Sequence, residues 1–158
     1  LYQLHTVDRK VPLEDSIGAL KELQDQGVIR HVGVSNFSVS QIERARRIVD
    51  VVTVQNLYNL GDRSSEDVLD YCEREGIGFI PWYPLASGDL LSSGPLSDVA
   101  KMHDATPAQI SLAWLLHKSP VMLPIPGTSS IEHFEENLGA GSISLSDEEM
   151  SRIEKAGA

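Results

Sequence analysis

The run Pro124-Ile125-Pro126-Gly127-Thr128-Ser129-Ser130-Ile131-Glu132-His133-Phe134-Glu135-Glu136-Asn137 is the part of this chain best suited to hold an anion. An apolar stretch, Val121 to Ile125, ends in a Pro/Gly turn that opens straight into a helical pattern. Ser129 with Glu132 three residues on reads as a capping box, which places the helix start there. First-turn N–H groups and the positive end of the helix dipole then face the mouth of the strand, and both favour a phosphate. Gly127 offers close backbone approach, Thr128 and Ser129 offer two hydroxyls, and Glu136 and Asn137 follow two turns later.

Other chemistry-bearing residues close other apolar runs. His5 ends Leu1–His5, where an imidazole can polarise a carbonyl or move a proton near neutral pH, or simply face solvent. Ser35 and Asn36 end the next run, and Gln55 and Asn56 the one after. Together they supply donors and acceptors suited to a carboxamide, although each alone is ordinary in a loop. Pro81-Trp82-Tyr83-Pro84-Leu85 closes the fourth run, and an aromatic there can stack on a flat ring or sit in the core.

These residues need elements to place them. Short β-branched runs at Leu1–His5, Val32–Ser35, Val51–Gln55, Gly78–Trp82 and Val121–Ile125 alternate with helical patterns near 13–26, 39–49, 65–75, 107–117, 131–138 and 147–156. That alternation is the signature of βα units and a parallel sheet. Ser38 with Gln41, Thr106 with Gln109 and Ser146 with Glu149 are further capping boxes, and Pro107 falls at a first helical position. Gly27 and Gly76 stand where helix C-caps are expected. Ile17, Leu20 and Leu23 form an apolar stripe. Ser87–Ser97 reads as a Gly/Ser-rich loop too long for a simple connection.

Length and composition fit about one domain with a real core: 158 residues, 41% hydrophobic and 23% charged. The net charge of −10 argues against nucleic acid or an anionic membrane as partner. Arg44-Ala45-Arg46-Arg47 reads as a solvated helix face. The single cysteine, Cys72, excludes an internal disulfide, suits a reducing cytoplasm and reads as a packing residue. No apolar run approaches the ~18 residues of a membrane span, and no metal-ligand set stands out. The chain begins with Leu1 inside an apolar run, which reads as the back part of something longer.

Five βα units suit an open, flavodoxin-like doubly wound sheet by length, whereas a closed barrel has eight. The strand-end residues point the other way. Leu-Tyr-Gln-Leu-His, Gly-Val-Ser-Asn-Phe, Val-Gln-Asn, Pro-Trp-Tyr-Pro-Leu and Pro-Ile-Pro-Gly-Thr-Ser-Ser occur in the order, and at separations similar to those, of the aldo/keto reductases. The chain resembles that family from the fourth strand of its (β/α)8 barrel to its last helices. The resemblance implies a TIM-barrel fragment spanning 1–158, five of eight βα units plus a C-terminal helix, with the first three units absent. It implies an oxidoreductase that passes hydride from NADP(H), or NAD(H), to the carbonyl of a small aldehyde or ketone.

By the same resemblance His5 is the histidine that orients the substrate carbonyl. Ser35, Asn36 and Gln55 hold the nicotinamide carboxamide, and Trp82, with Tyr83 beside it, stacks on the ring. Leu85 belongs to the loop over the pyrophosphate. Thr128 and Ser129 cradle the 2′-phosphate, and Glu136 and Asn137 meet the adenine. Gly127 and His133 stand where many members carry a Lys and an Arg, which should weaken the preference for NADP(H). The family's Asp, Tyr and Lys fall upstream of Leu1, and neither Lys101 nor Lys118 is placed to tune Tyr58 or Tyr83 as a substitute donor. The chain alone is therefore expected to be inactive and to self-associate through uncovered edges. The alternative is a non-catalytic module: a degenerate reductase, a regulatory protein on a reductase fold, or the open-sheet domain.

Overall fold

The computed structural model describes residues 1–86 and 94–156. The chain forms two compact units, one of Leu1–Asn56 with Ser65–Ile80 and one of Leu57–Ser64 with Pro81–Ala158.

The first unit is built on a parallel sheet. Strands β1 (Tyr2–Leu4), β2 (Val32–Ser35), β3 (Val51–Leu57) and β4 (Gly78–Trp82) lie side by side in sequence order. An open doubly wound sheet would reverse its order at a switch point; these four strands show no reversal. Gln3, Gly33 and Thr53 share one row of the ladder, and Leu4, Val34 and Val54 the next. Gly33 has to be glycine, because a Cβ there would lie 2.3 Å from Thr53 Oγ1 and 2.9 Å from Gln3 Cγ. Alternate residues point to opposite faces, so Val32, Val34 and Val54 are buried on the face away from that polar row.

Helices α1 (Leu13–Asp25), α2 (Val39–Arg46) and α3 (Glu66–Glu75) connect the strands. Ile17, Leu20, Ile42, Val68, Leu69 and Cys72 supply their buried positions, while Leu23 is largely exposed. Ser38 and Gln41 form the expected reciprocal cap of α2. Gly76 ends α3 in the left-handed conformation at φ 67°, and Gly27 follows α1 at φ 72°. The arginine run is not a merely solvated face. Arg44 forks onto both carboxylate oxygens of Glu14 at 2.9 Å. Arg46 donates to Glu75 and to the Tyr71 hydroxyl.

The second unit contains α4 (Gly94–Met102), α5 (Pro107–Lys118), α6 (Ile131–Gly139), a 3-10 turn at Ala140–Ser142, and α7 (Asp147–Ala156). Leu96, Val99, Ile110, Trp114, Leu115 and Ile153 form its core. Tyr58 stacks on Trp114 with ring centroids 5.8 Å apart and planes 8° from parallel. Among the described residues, no helix is long and apolar enough to cross a membrane.

Three expectations fail here for identifiable reasons. Gly94–Ser97 is not loop but the first turn of α4, where Leu96 is pulled into the core; residues 87–93 of that expected loop lie outside the described residues. Val121–Ile125 forms no extended strand among the described residues; Met122 alone makes an isolated bridge. Pro124 and Pro126 bracket its end and cannot donate to a ladder. The cap of α6 is Ser130 rather than Ser129, because the Thr128 hydroxyl accepts the Ser130 N–H at 3.1 Å and fixes the turn one residue later.

Candidate functional site

The first unit joins four of the expected residues into one polar network at the carboxyl ends of β1, β2 and β3. Ser35 and Gln55 are register partners. The buried Ser35 hydroxyl donates to the Gln55 carbonyl at 2.7 Å, and the Asn36 N–H donates to the same carbonyl at 3.0 Å. Asn36 Nδ2 reaches the His5 carbonyl at 3.1 Å and Ser35 Oγ at 3.2 Å. Asn36 sits at φ 59°, a left-handed geometry that Asn tolerates better than other non-glycine residues. The turn after β2 is thus tied to both neighbouring strands, while the His5 side chain is exposed.

Asn56, grouped in the sequence with the strand-end donors and acceptors, instead holds this turn from behind. Its amide accepts the Phe37 N–H at 3.1 Å and donates to the Phe37 carbonyl at 2.9 Å. The detectable signal was a polar residue two positions after Val54, hence on the same buried face.

The second unit gathers the remaining candidates at two places. Trp82, Tyr83 and Ala86 face Asn59, Gly61 and Asp62 across a pocket of about 470 Å³. Tyr83 and Ala86 both hold positive φ, 59° and 53°. Such strain persists where the surroundings over-determine it. Here the buried Asn59 donates to the Tyr83 carbonyl at 3.0 Å and accepts the Gly61 and Asp62 N–H groups at 2.9 Å each. Hydrogen bonds from the Ser64 hydroxyl and N–H hold the Asp62 carboxyl below its usual range.

A second pocket, of about 270 Å³, collects Leu85, Gly127, Thr128, His133, Glu136 and Asn137. Its wall is completed by Thr106, Pro107 and Ala108 at the start of α5, none of which the sequence reading assigned to a ligand. Ser129 is exposed and does not line it. Two helix N-termini therefore meet at one cavity. Ser130 Oγ accepts the His133 N–H at 3.3 Å, while the N–H groups of Ile131 and Glu132 have no protein partner among the described residues. Uncommitted donors at a helix start favour an anion. Gln109 bonds the Thr106 N–H through its carbonyl and the Glu136 carbonyl through its amide, both near 2.9 Å, so one side chain ties α5 to α6. Gly127 borders open space. A Cβ there would meet nothing within 4 Å, so the position is open rather than crowded.

Comparison with known proteins gives the family of the chain. The Aldo/keto reductase family matches residues 1–158, the full length of the chain. The chain belongs to the aldo/keto reductase family. It is 49% identical over 158 residues to an uncharacterized oxidoreductase of Schizosaccharomyces pombe, covering 99% of this chain and 52% of that protein. It is 43% identical over 142 residues to pyridoxine 4-dehydrogenase of Escherichia coli, covering 90% and 50%. Its fold matches the crystal structure of an aldo-keto reductase from Klebsiella pneumoniae in complex with NADPH, with TM-score 0.89 and 32% identity, over 98% of this chain and 57% of that one. The chain thus spans about half the length of the curated relatives it matches.

The tyrosines considered as stand-in proton donors separate clearly. Tyr58 is fully buried against Trp114 and cannot reach a substrate. Tyr83 is half exposed at its pocket. Lys118 is engaged elsewhere, 3.5 Å from Glu154 and over the Trp114 ring. Cys72 is buried, and desolvation pushes its thiol up to about 12, which makes it inert packing.

Proposed function

We propose that this chain is the later part of a single (β/α)8 reductase barrel and that the complete protein reduces small aldehydes or ketones with NAD(P)H. The observation that carries this reading is the pocket of the second unit, where six residues assigned by resemblance to the cofactor line one cavity beside uncommitted helix donors. The lining fits a phosphorylated dinucleotide: the Thr128 hydroxyl just before α6 and polar side chains at Glu136 and Asn137 for a purine edge. Ser35, Asn36 and Gln55 offer a carboxamide their donors and acceptors, and Trp82 with Tyr83 offers a flat ring an aromatic face. The bound nicotinamide would supply the hydride. His5 would donate a hydrogen bond to the carbonyl oxygen, holding it for attack and favouring the charge that builds there. Orientation of this kind contributes by proximity, while the proton comes from a general acid outside residues 1–158.

Titrating the complete polypeptide with NADPH, followed by tryptophan fluorescence, tests the assignment. Thr128→Ala and Trp82→Ala are each expected to weaken binding about tenfold, the loss of roughly one good contact. Unchanged affinity in both variants would count decisively against it.

A further inference from the structure

We propose that Asn59 is a positioning residue for the nicotinamide half of the cofactor: its side-chain amide holds the turn after β4 in a conformation that the turn's own residues do not favour. This rests on the reading of Trp82 and Tyr83 as the aromatic face for the nicotinamide ring. Trp82 ends β4, and Tyr83-Pro84-Leu85-Ala86 then close a turn in which the Ala86 N–H donates to the Tyr83 carbonyl at 3.2 Å. Both ends of that turn are left-handed, Tyr83 at φ 59° and Ala86 at φ 53°. Neither residue type favours that region, and a residue ahead of proline is pushed further toward extended backbone. The restraint has to come from outside the turn.

Asn59, 24 positions before Tyr83, supplies it. The residue is 2% exposed, and the two ends of its side chain do different things. The carbonyl oxygen accepts the Gly61 and Asp62 N–H groups at 2.9 Å each. The backbones of Asn59 and Asp62 also bond each other in both directions, at 2.9 and 3.2 Å. The loop from Asn59 to Asp62 is therefore closed without the amide nitrogen. That nitrogen donates to the Tyr83 carbonyl at 3.0 Å, the same oxygen that takes the Ala86 N–H. A buried donor costs free energy when it lacks its acceptor, so the bond penalises any rotation of Tyr83 back to extended backbone. What the turn carries gives the restraint its use. Tyr83 and Ala86 line one pocket beside Trp82, and Leu85 reaches the other.

Because the oxygen serves the loop and the nitrogen serves the turn, one substitution separates them. Asn59→Asp keeps an acceptor for Gly61 and Asp62 but loses the donor. Calorimetry on the complete polypeptide compares NADPH with 2′,5′-ADP, which lacks both the nicotinamide and the pyrophosphate. Asn59→Asp is expected to bind NADPH about tenfold more weakly, the loss of roughly one good contact. Its affinity for 2′,5′-ADP should stay within about twofold of the parent's, since Thr128, Glu136 and Asn137 are untouched. Adding Ala86→Gly should restore part of the NADPH affinity, because glycine takes the left-handed conformation without strain. A general loss of stability would not be repaired at that position. Urea denaturation checks the fold. If Asn59→Asp loses its cooperative transition, Asn59→Ser is read in the same way, its hydroxyl still able to accept from the loop but too short for the Tyr83 carbonyl. Parental NADPH affinity in the variant, or an equal loss for both ligands, overturns the proposal. Trp82→Ala tells the two readings apart. If it weakens NADPH while Asn59→Asp does not, the role of Asn59 alone falls; if it binds NADPH like the parent, the ring reading falls and this proposal with it.

Discussion

Asn36 and Asn56 show how much of the site depends on single amides. Asn36 bonds strands β1 and β3 from a left-handed turn, and Asn56 fixes the next residue, Phe37, from the buried side. Asn56→Ala leaves the Phe37 N–H and carbonyl buried without partners, a loss of about 2–4 kcal/mol. Urea denaturation should show that loss, and NADPH binding should weaken with it because Ser35 and Asn36 lose their anchor; a variant as stable as the parent would remove Asn56 from the scaffold. Tyr83 carries a second expectation. It borders a pocket, while Lys101 and Lys118 pair with Asp98 and Glu154. General acid catalysis needs a donor within reach of the carbonyl oxygen and is worth about 10²–10⁴-fold. The purified 158-residue chain should therefore oxidise NADPH with 4-nitrobenzaldehyde far below about 1 turnover per second. Turnover at that rate, abolished by Tyr83→Phe, would show that Tyr83 supplies the proton. The residue types Ser35, Asn36 and Gln55 were legible in sequence, but the bond from Asn36 to His5 spans 31 positions and no local pattern encodes it.

Helix starts were the most legible elements because a cap is local chemistry. Ser38, Thr106 and Ser146 all act as the sequence pattern implies. Thr128-Ser129-Ser130 offered three hydroxyls in a row, and only the Thr128–Ser130 bond chooses among them. Residues 94–97 hid α4 because Gly, Pro and Ser read as turn while the force holding them helical is burial of Leu96, Val99 and Ala100. The cap of α7 also has a measurable pH signature. Glu149 accepts the Ser146 N–H and O–H at 2.8 Å each, and His103 lies 2.8 Å from its other oxygen. Those bonds, those of Ser146 foremost, lower the carboxyl below its ordinary value. A carboxylate depressed in the folded state stabilises above its unfolded pKa of about 4.3, and that contribution drains away as pH falls through the folded value. Glu149→Gln keeps an acceptor but cannot titrate. Its melting temperature should lie below the parent's at about pH 6.5, and the gap should close toward about pH 3. A gap that stays constant over that range would show that Glu149 does not report on the cap.

At the scale of the whole chain, the surface carries an apolar burden that its charge has to offset. In the second unit Leu123, Phe134 and Leu138 are 59%, 55% and 64% exposed, and with Leu112, Leu116 and Ile125 they line a groove of about 580 Å³. A contiguous exposed apolar patch of this kind is prone to associate with other apolar surface. In the first unit β1 is an outermost strand, and Tyr2 on it and Leu1 just before it are more than half exposed. An outer strand presents unpaired N–H and C=O groups to any other chain. The net charge of −10 opposes association at long range, but screening at physiological salt confines that repulsion to about 8 Å. Contact of apolar side chains at short range should then win. The 158-residue chain on its own is expected to elute from size exclusion with a light-scattering mass above 17.3 kDa, rising with concentration. Phe134→Lys combined with Leu138→Lys should move it toward monomer without loss of helical circular dichroism, because both side chains are exposed and neither supports the core. A monodisperse 17.3 kDa monomer with a sharp cooperative melt would mean that groove and edge are stable uncovered. These residues would then be a self-sufficient domain, and the non-catalytic nucleotide-binding reading would displace the proposed fragment.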